Sequence, residues 1–312
     1  MSETSGMRVL AGYSPDERGD DALALAALVA RTAGAALTVA NVHPPAWPAR
    51  GPGSVDAEWV AYLKERAEDA LDRAAGRLHE LRVPKGSVTR RVHAHRGSGR
   101  GLIEIARDVG ADLVVVGSAP RGRRGRIAIG STADQLLHSS PVPVLLAPRG
   151  YAEEAPGRFE RLTVAYWRRR DVEGPLAAAA GIAHVLGLPI RLVTLVLRPP
   201  GRGAELRGAG DVMARQLAQA EEDLALAAGL FGDGTRVATE AASGTGIAKA
   251  LGAVDMLPGE LLACLSSHDG PLRKVFLGES SGKIVRTAPC PVLVLPRGAP
   301  VAPAAKVRGI KG

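Results

Sequence analysis

Residues 117–132 read Gly117-Ser-Ala-Pro-Arg-Gly-Arg-Arg-Gly-Arg-Ile-Ala-Ile-Gly130-Ser131-Thr132. Such a loop suits a phosphate. Small residues let backbone N–H groups approach, the start of a helix favours negative charge, and Arg121, Arg123, Arg124 and Arg126 can make bidentate contacts to an anion. Two bland readings stand beside this one. Ser131 and Thr132 precede Asp134 as an ordinary helix cap would, and the arginines suit a solvated surface.

Other chemistry-bearing residues are sparser. His93 and His95 alternate, so they share one face of a strand, and His43 could join them at its edge as a metal or anion cluster. The competing reading is strand-end capping, and no metal site is expected, because metal sites need complete ligand sets. Asp108 and Asp112 flank Gly110 and shape a turn. No Ser-His-Asp set, carboxylate pair or zinc spacing points to catalysis. The two cysteines, Cys264 and Cys290, form no disulfide framework, and Cys264 lies in an apolar run as a small buried hydrophobe.

The elements that must position these residues occur twice. Arg8–Tyr13 reads as a short buried strand and Arg161–Tyr166 as its counterpart. Ala/Leu-rich helices follow, from Asp21 to Ala33 and from Pro175 to Leu186, closed by Gly34 and Gly187. The segment Leu37–Pro45 aligns with Leu192–Pro200, each a strand stopped by two prolines. Charged amphipathic helices span Val55–Leu81 and Gly208–Leu230. Third strands, Ser87–His95 and Thr235–Ala241, run into Gly97-Ser-Gly-Arg-Gly and Ala242-Ser-Gly-Thr-Gly. Helices then lead to fourth strands at Asp112–Val116 and Leu261–Leu265. Each half closes on a short helix and a Pro-flanked fifth strand. This alternation implies two parallel, doubly wound five-stranded sheets of the α/β class with right-handed crossovers. Ligands of such sheets lie at the carboxyl ends of the strands. In the first half that edge collects Ser14, Val42 with His43, His95 with Gly97, and the loop from Gly117.

Composition narrows the class. Hydrophobic residues at 46% can fill sizeable cores, and aromatics at 3% leave that work to Ala, Val and Leu. No run reaches the roughly 20 apolar residues of a membrane span, and the first residues lack a signal-peptide core, so a cytoplasmic protein without a membrane partner is expected. The net charge of +8 is shared evenly by residues 1–150 and 151–312, which argues against a dedicated basic tail. Of the two arginine runs, 121–126 and 168–170, only the second adjoins an aromatic, Trp167. Nucleic-acid or other polyanion binding is therefore kept only as a minor alternative.

The architecture, the Gly117…Gly130-Ser131 spacing and the closing Pro-Val-Pro-Val resemble the universal stress protein family over nearly all of both halves. The resemblance implies two Rossmann-like domains, akin to adenine nucleotide alpha hydrolases, at 1–149 and 159–298, with a linker at 150–158 and a frayed tail at 299–312. It implies a non-catalytic stress-response protein, at most a slow ATP hydrolase, with unknown protein partners. It also implies that the fifth strands, Val142–Leu146 and Val292–Leu295, meet in one chain as a pseudo-dimer; a further homodimer stays open. The family's nucleotide-binding branch carries Gly-x-x-Gly-x9-Gly-[Ser/Thr] and an adenine-contacting Asp. In the first half Gly117, Gly130 and Ser131 match, Pro120 replaces the second glycine, and Ser14 stands at the Asp position. The expected ATP site is thus Ser14, Val42, Gly117, Arg121, Gly130, Ser131 and Thr132. In the second half Leu265, His268, Gly278, Glu279 and Trp167 occupy the motif positions, and no ATP binding of that kind is expected there.

Overall fold

Short runs such as Leu113-Val-Val-Val116 and Leu261-Leu-Ala-Cys264 have no polar alternation, so as strands they must be covered on both faces. The computed structural model places them so. It describes residues 6–45, 56–168, 172–198, 209–232, 235–266 and 277–296. The chain divides into two compact units, Met1–Ala155 and Pro156–Gly312.

Unit 1 runs β1 (Arg8–Gly12), α1 (Glu17–Ala33), β2 (Ala36–His43), α2 (Asp56–Glu80), β3 (Val88–Ala94), α3 (Ser98–Asp108), β4 (Leu113–Gly117), α4 (Ser131–Ser139), β5 (Val144–Ala147) and α5 (Tyr151–Glu154). Its strands are parallel in the order β3-β2-β1-β4-β5. The order reverses between β1 and β4, the crevice where open α/β sheets bind ligands.

Helix α1 shows how local sequence sets an element. Asp16 precedes it in extended conformation, and its carboxylate accepts from the N–H groups of Arg18 and Gly19. The helix is then buried continuously from Asp21 to Ala30, which its small Ala-rich surface permits. It ends at Gly34, whose φ of +60° suits glycine. Asp21 is buried within this run and accepts from Gly150 N (2.9 Å) and Ala152 N (2.8 Å). Residues through Ala155 of the expected linker therefore fold onto α1 as part of unit 1.

Unit 2 runs β6 (Arg161–Ala165), α6 (Glu173–Leu186), β7 (Ile190–Leu197), α7 (Ala209–Ala228), β8 (Val237–Gly244), α8 (Ile247–Gly252), β9 (Glu260–Leu265), α9 (Glu279–Thr287) and β10 (Val292–Leu295). Its parallel order is β10-β9-β6-β7-β8. Helix α6 closes at Gly187, φ +64°, as α1 does at Gly34. Cys264 and Cys290 are buried thiols outside any disulfide, and desolvation pushes the Cys264 thiol above its ordinary pKa.

The register corrects one alignment. Val9 pairs with Leu37, and Leu162, the counterpart of Val9, pairs with Ile190. Leu37 therefore corresponds to Ile190, not to Leu192. The twin prolines misled the comparison, because the second half inserts two residues before them. The end of this segment, Pro199-Pro200, lies outside the described residues, as do His268, Arg169, Arg170 and the tail beyond Pro296.

The units also differ at the amino ends of their strands. In unit 1, Asp112 Oδ2 accepts from Arg8 N at 2.8 Å near the surface. At the corresponding place in unit 2, Glu260 is fully buried. It takes bonds from Arg161 (2.7 Å), Thr163 and Leu257 N (3.0 Å), and Arg191 lies 3.6 Å away. Arg191 in turn bonds Thr163 (3.0 Å) and Glu240 (2.8 Å). Helix α8 has six residues where α3 has eleven.

Candidate functional site

The carboxyl edge of the unit 1 sheet opens into a cavity of about 320 Å³. The ends of β1 and β2 supply Gly12, Tyr13, Ser14, Ala40, Asn41 and Val42. The end of β4 supplies Val116 and Gly117, followed by Ala119. The starts of α3 and α4 supply Ser98 and Gly130–Ala133, and the first turn of α1 adds Arg18 and Gly19. Such a volume, with a few convergent polar groups, suits a small organic ligand.

Each wall has a local cause. Asn41 Nδ2 donates to Tyr13 O at 2.9 Å and ties the ends of β1 and β2 together. The Ser14 hydroxyl donates to Asp16 Oδ1 at 2.8 Å, and the Arg18 guanidinium meets Asp16 Oδ2 at 2.5 Å. Burial alone would raise the Asp16 carboxyl. The hydrogen bonds from Arg18, Ser14 and Gly19 N outweigh it and hold the group below its ordinary value. Burial, and next the Asp20 carboxylate, push the Tyr13 phenol up to about 12. At the other end Ser98 Oγ and Thr132 Oγ1 share a hydrogen bond of 2.5 Å. Gly130 caps α4 in extended conformation with no side chain to offer, and Ser131, Thr132 and Ala133 present first-turn N–H groups at the cavity.

Gly117 has a second duty. A Cβ built there would lie 2.0 Å from Arg18 O, so α1 can approach β4 only because the residue is glycine. At Gly130 the added Cβ would meet Ala119 Cβ at 3.1 Å, a tight contact with a side chain.

Ser14, Val42, Gly117, Gly130, Ser131 and Thr132 thus come together around one cavity, and Arg121 does not line it. The arginine loop is held outward. Arg124 pairs with Glu153 at 2.6 Å, and Arg126 donates to Gly125 O at 3.1 Å. Arg149 bonds Glu17 (3.1 Å) and Gly122 O (2.9 Å), fixing the loop's base. Sequence reasoning missed Asn41, Arg18 and Ser98. A polar Asn in an otherwise apolar strand, and the repeated Ser-Gly before each third helix, were the available signals.

The histidines do not converge on a metal. His93 Nε2 lies 2.7 Å from Glu104, His95 Nδ1 accepts from Gly97 N at 2.9 Å, and His43 Nδ1 meets Pro44 O at 2.8 Å. Among the described residues no three His, Cys, Asp or Glu side chains group to hold a metal ion, and no helix is long and apolar enough to cross a membrane.

The same edge of unit 2 is built otherwise. Leu265, fully buried, stands at the Gly117 position, and Ser281 Oγ donates to its carbonyl at 3.0 Å. Trp167 stands at the Ser14 position and Thr194 at that of Asn41, again bonding the preceding strand at Tyr166 O (2.9 Å). Glu279 opens α9 after Gly278, and its hydrogen bond from Lys283 (2.6 Å) holds the carboxyl below its ordinary value. A depression of about 360 Å³ lies instead against α7, lined by Trp167, Thr194, Gln219 and Asp223 among others, and includes neither Gly278 nor Glu279.

A model of the universal stress protein family matches residues 7–148 and again 160–296. Universal stress protein Rv2319c of Mycobacterium tuberculosis (strain H37Rv) is 37% identical over 297 residues, covering 93% of this chain and all of the relative. Universal stress protein Mb2346c of Mycobacterium bovis aligns with the same identity and coverage. Among solved structures, a universal stress protein from Archaeoglobus fulgidus shares the fold with a TM-score of 0.58 at 17% identity, covering 93% of this chain and 98% of its own. The chain belongs to the universal stress protein family and carries that family's domain twice.

Proposed function

We propose that this chain is a non-catalytic stress-response protein in which unit 1 binds an adenine nucleotide and unit 2 does not. Family membership supports the role in the stress response. The observation that carries the nucleotide reading is the unit 1 cavity, which joins the β1/β2 edge to the uncapped start of α4. A base fits the first end and an anion the second. The residues lining the cavity include no carboxylate and no imidazole, so a bound nucleotide meets no general base there.

Equilibrium dialysis of the full chain against labelled adenosine, AMP and ATP tests the proposal. Saturation at one equivalent per chain is expected, and no retention at millimolar ligand would overturn it. In the same reading the Pro-flanked closing strands β5 and β10 pair within the chain. Cysteines introduced on the two strands should then crosslink in the monomer, and failure to crosslink at any pair of positions would remove that part.

A further inference from the structure

We infer that the unit 1 cavity selects a nucleoside monophosphate over a triphosphate. The inference rests on the nucleotide reading above and concerns how many phosphates the site can hold. Holding a second and third phosphate in a glycine-rich loop takes backbone N–H groups that point at them. Here six of those in the loop after β4 are spent internally, and of the remaining six only that of Gly130 belongs to a residue lining the cavity. Ser118 N donates to Ala147 O (3.0 Å), Ala119 N to Ala128 O (2.8 Å), Gly122 N to Ala119 O (3.2 Å) and Gly125 N to Arg149 O (2.9 Å). Arg126 N donates to Arg123 O (3.1 Å) and Ala128 N to Ser118 Oγ (2.8 Å). Pro120, midway, has no N–H.

Charge leads to the same conclusion. The loop arginines lie outside the cavity, with Arg124 committed to Glu153. The cation in the lining is Arg18, and Asp16 already neutralises it at 2.5 Å. Uncommitted donors remain at the start of α4, where the N–H groups of Ser131, Thr132 and Ala133 have no acceptor among the described residues. The Ser98–Thr132 hydroxyl pair lies beside them. That set surrounds a single phosphate, and each further phosphate would bring charge without donors or cations to meet it.

Calorimetric titration of the full chain with adenosine, AMP and ATP decides the matter. AMP is expected to bind at least tenfold more tightly than ATP, and more tightly than adenosine. ATP binding as well as AMP or better overturns the inference while leaving the nucleotide site standing. Absence of binding by all three removes the site itself, and the inference with it. Ser131→Glu copies Glu279, which unit 2 already carries in the first turn of α9, so the helix tolerates it. The variant should lower AMP affinity to that of adenosine. AMP affinity unaltered in Ser131→Glu would place the phosphate elsewhere and contradict the inference.

Discussion

The carboxyl edges of the two units show how one fold keeps or loses a site through a few side chains. Both edges end in the same strands, and both bring a glycine to the start of the helix before the closing strand, Gly130 and Gly278. In unit 1 the backbone at Gly117 is bare and Ser14 is small, so a cavity remains. In unit 2 Leu265 and Trp167 stand at those positions, and Glu279 puts a carboxylate where the helix start would attract an anion. The amino ends differ in the opposite sense. Unit 1 has a near-surface Asp112, and unit 2 buries Glu260 between arginines. Unit 1 therefore places its exposed polar chemistry where a ligand can reach, and unit 2 encloses its own as structure.

The largest effect that would break this comparison is expected at Glu260. Glu260→Ala leaves Arg161 and Arg191 without their shared carboxylate and should cost unit 2 about 3–5 kcal/mol. Asp112→Ala, its near-surface counterpart, should cost about 1 kcal/mol or less. Urea unfolding of both variants checks the contrast, and nucleotide affinity should change in neither. Next comes Gly117→Leu, which gives unit 1 the unit 2 residue. With its Cβ 2.0 Å from Arg18 O, it should cost about 1–3 kcal/mol and abolish nucleotide binding. Dialysis and a thermal melt read the two losses separately.

Asp16→Ala removes the cap of α1 and should cost about 1 kcal/mol near neutral pH. The folded-state Asp16 carboxyl lies below its ordinary value, so its stabilising contribution is present above the unfolded pKa. It is lost as pH falls through the folded one. The gap between wild type and Asp16→Ala should therefore narrow on acidification, as measured by denaturant midpoints at a series of pH values. The smallest effect is expected at Arg121. Arg121→Ala should leave nucleotide affinity within error, and a tenfold loss would bring the arginine loop back into the site.

Much of this was legible in the sequence. The repeat, the strand runs and the closing glycines Gly34 and Gly187 are local signals, and local signals survive in a linear reading. Gly117, Gly130, Ser131 and Thr132 were legible because a loop and the helix after it stay adjacent in the chain. Arg121 lies outside the cavity lining, and the partners that hold its loop, Glu153 and Glu17, come from distant segments and follow no spacing rule. Asn41 was passed over because only the pairing of β1 with β2 shows that it closes the strand end. Arg191 and Glu260 were invisible for a related reason. Each is one charge in an apolar run, and only the sheet brings them together.

The most direct measurement is the calorimetric stoichiometry of AMP on the intact chain, in wild type and in Ser131→Glu. One site per chain, weakened to the level of adenosine by Ser131→Glu, is the expected result. Two sites per chain, or one site untouched by that substitution, would contradict a single phosphate-binding site in unit 1.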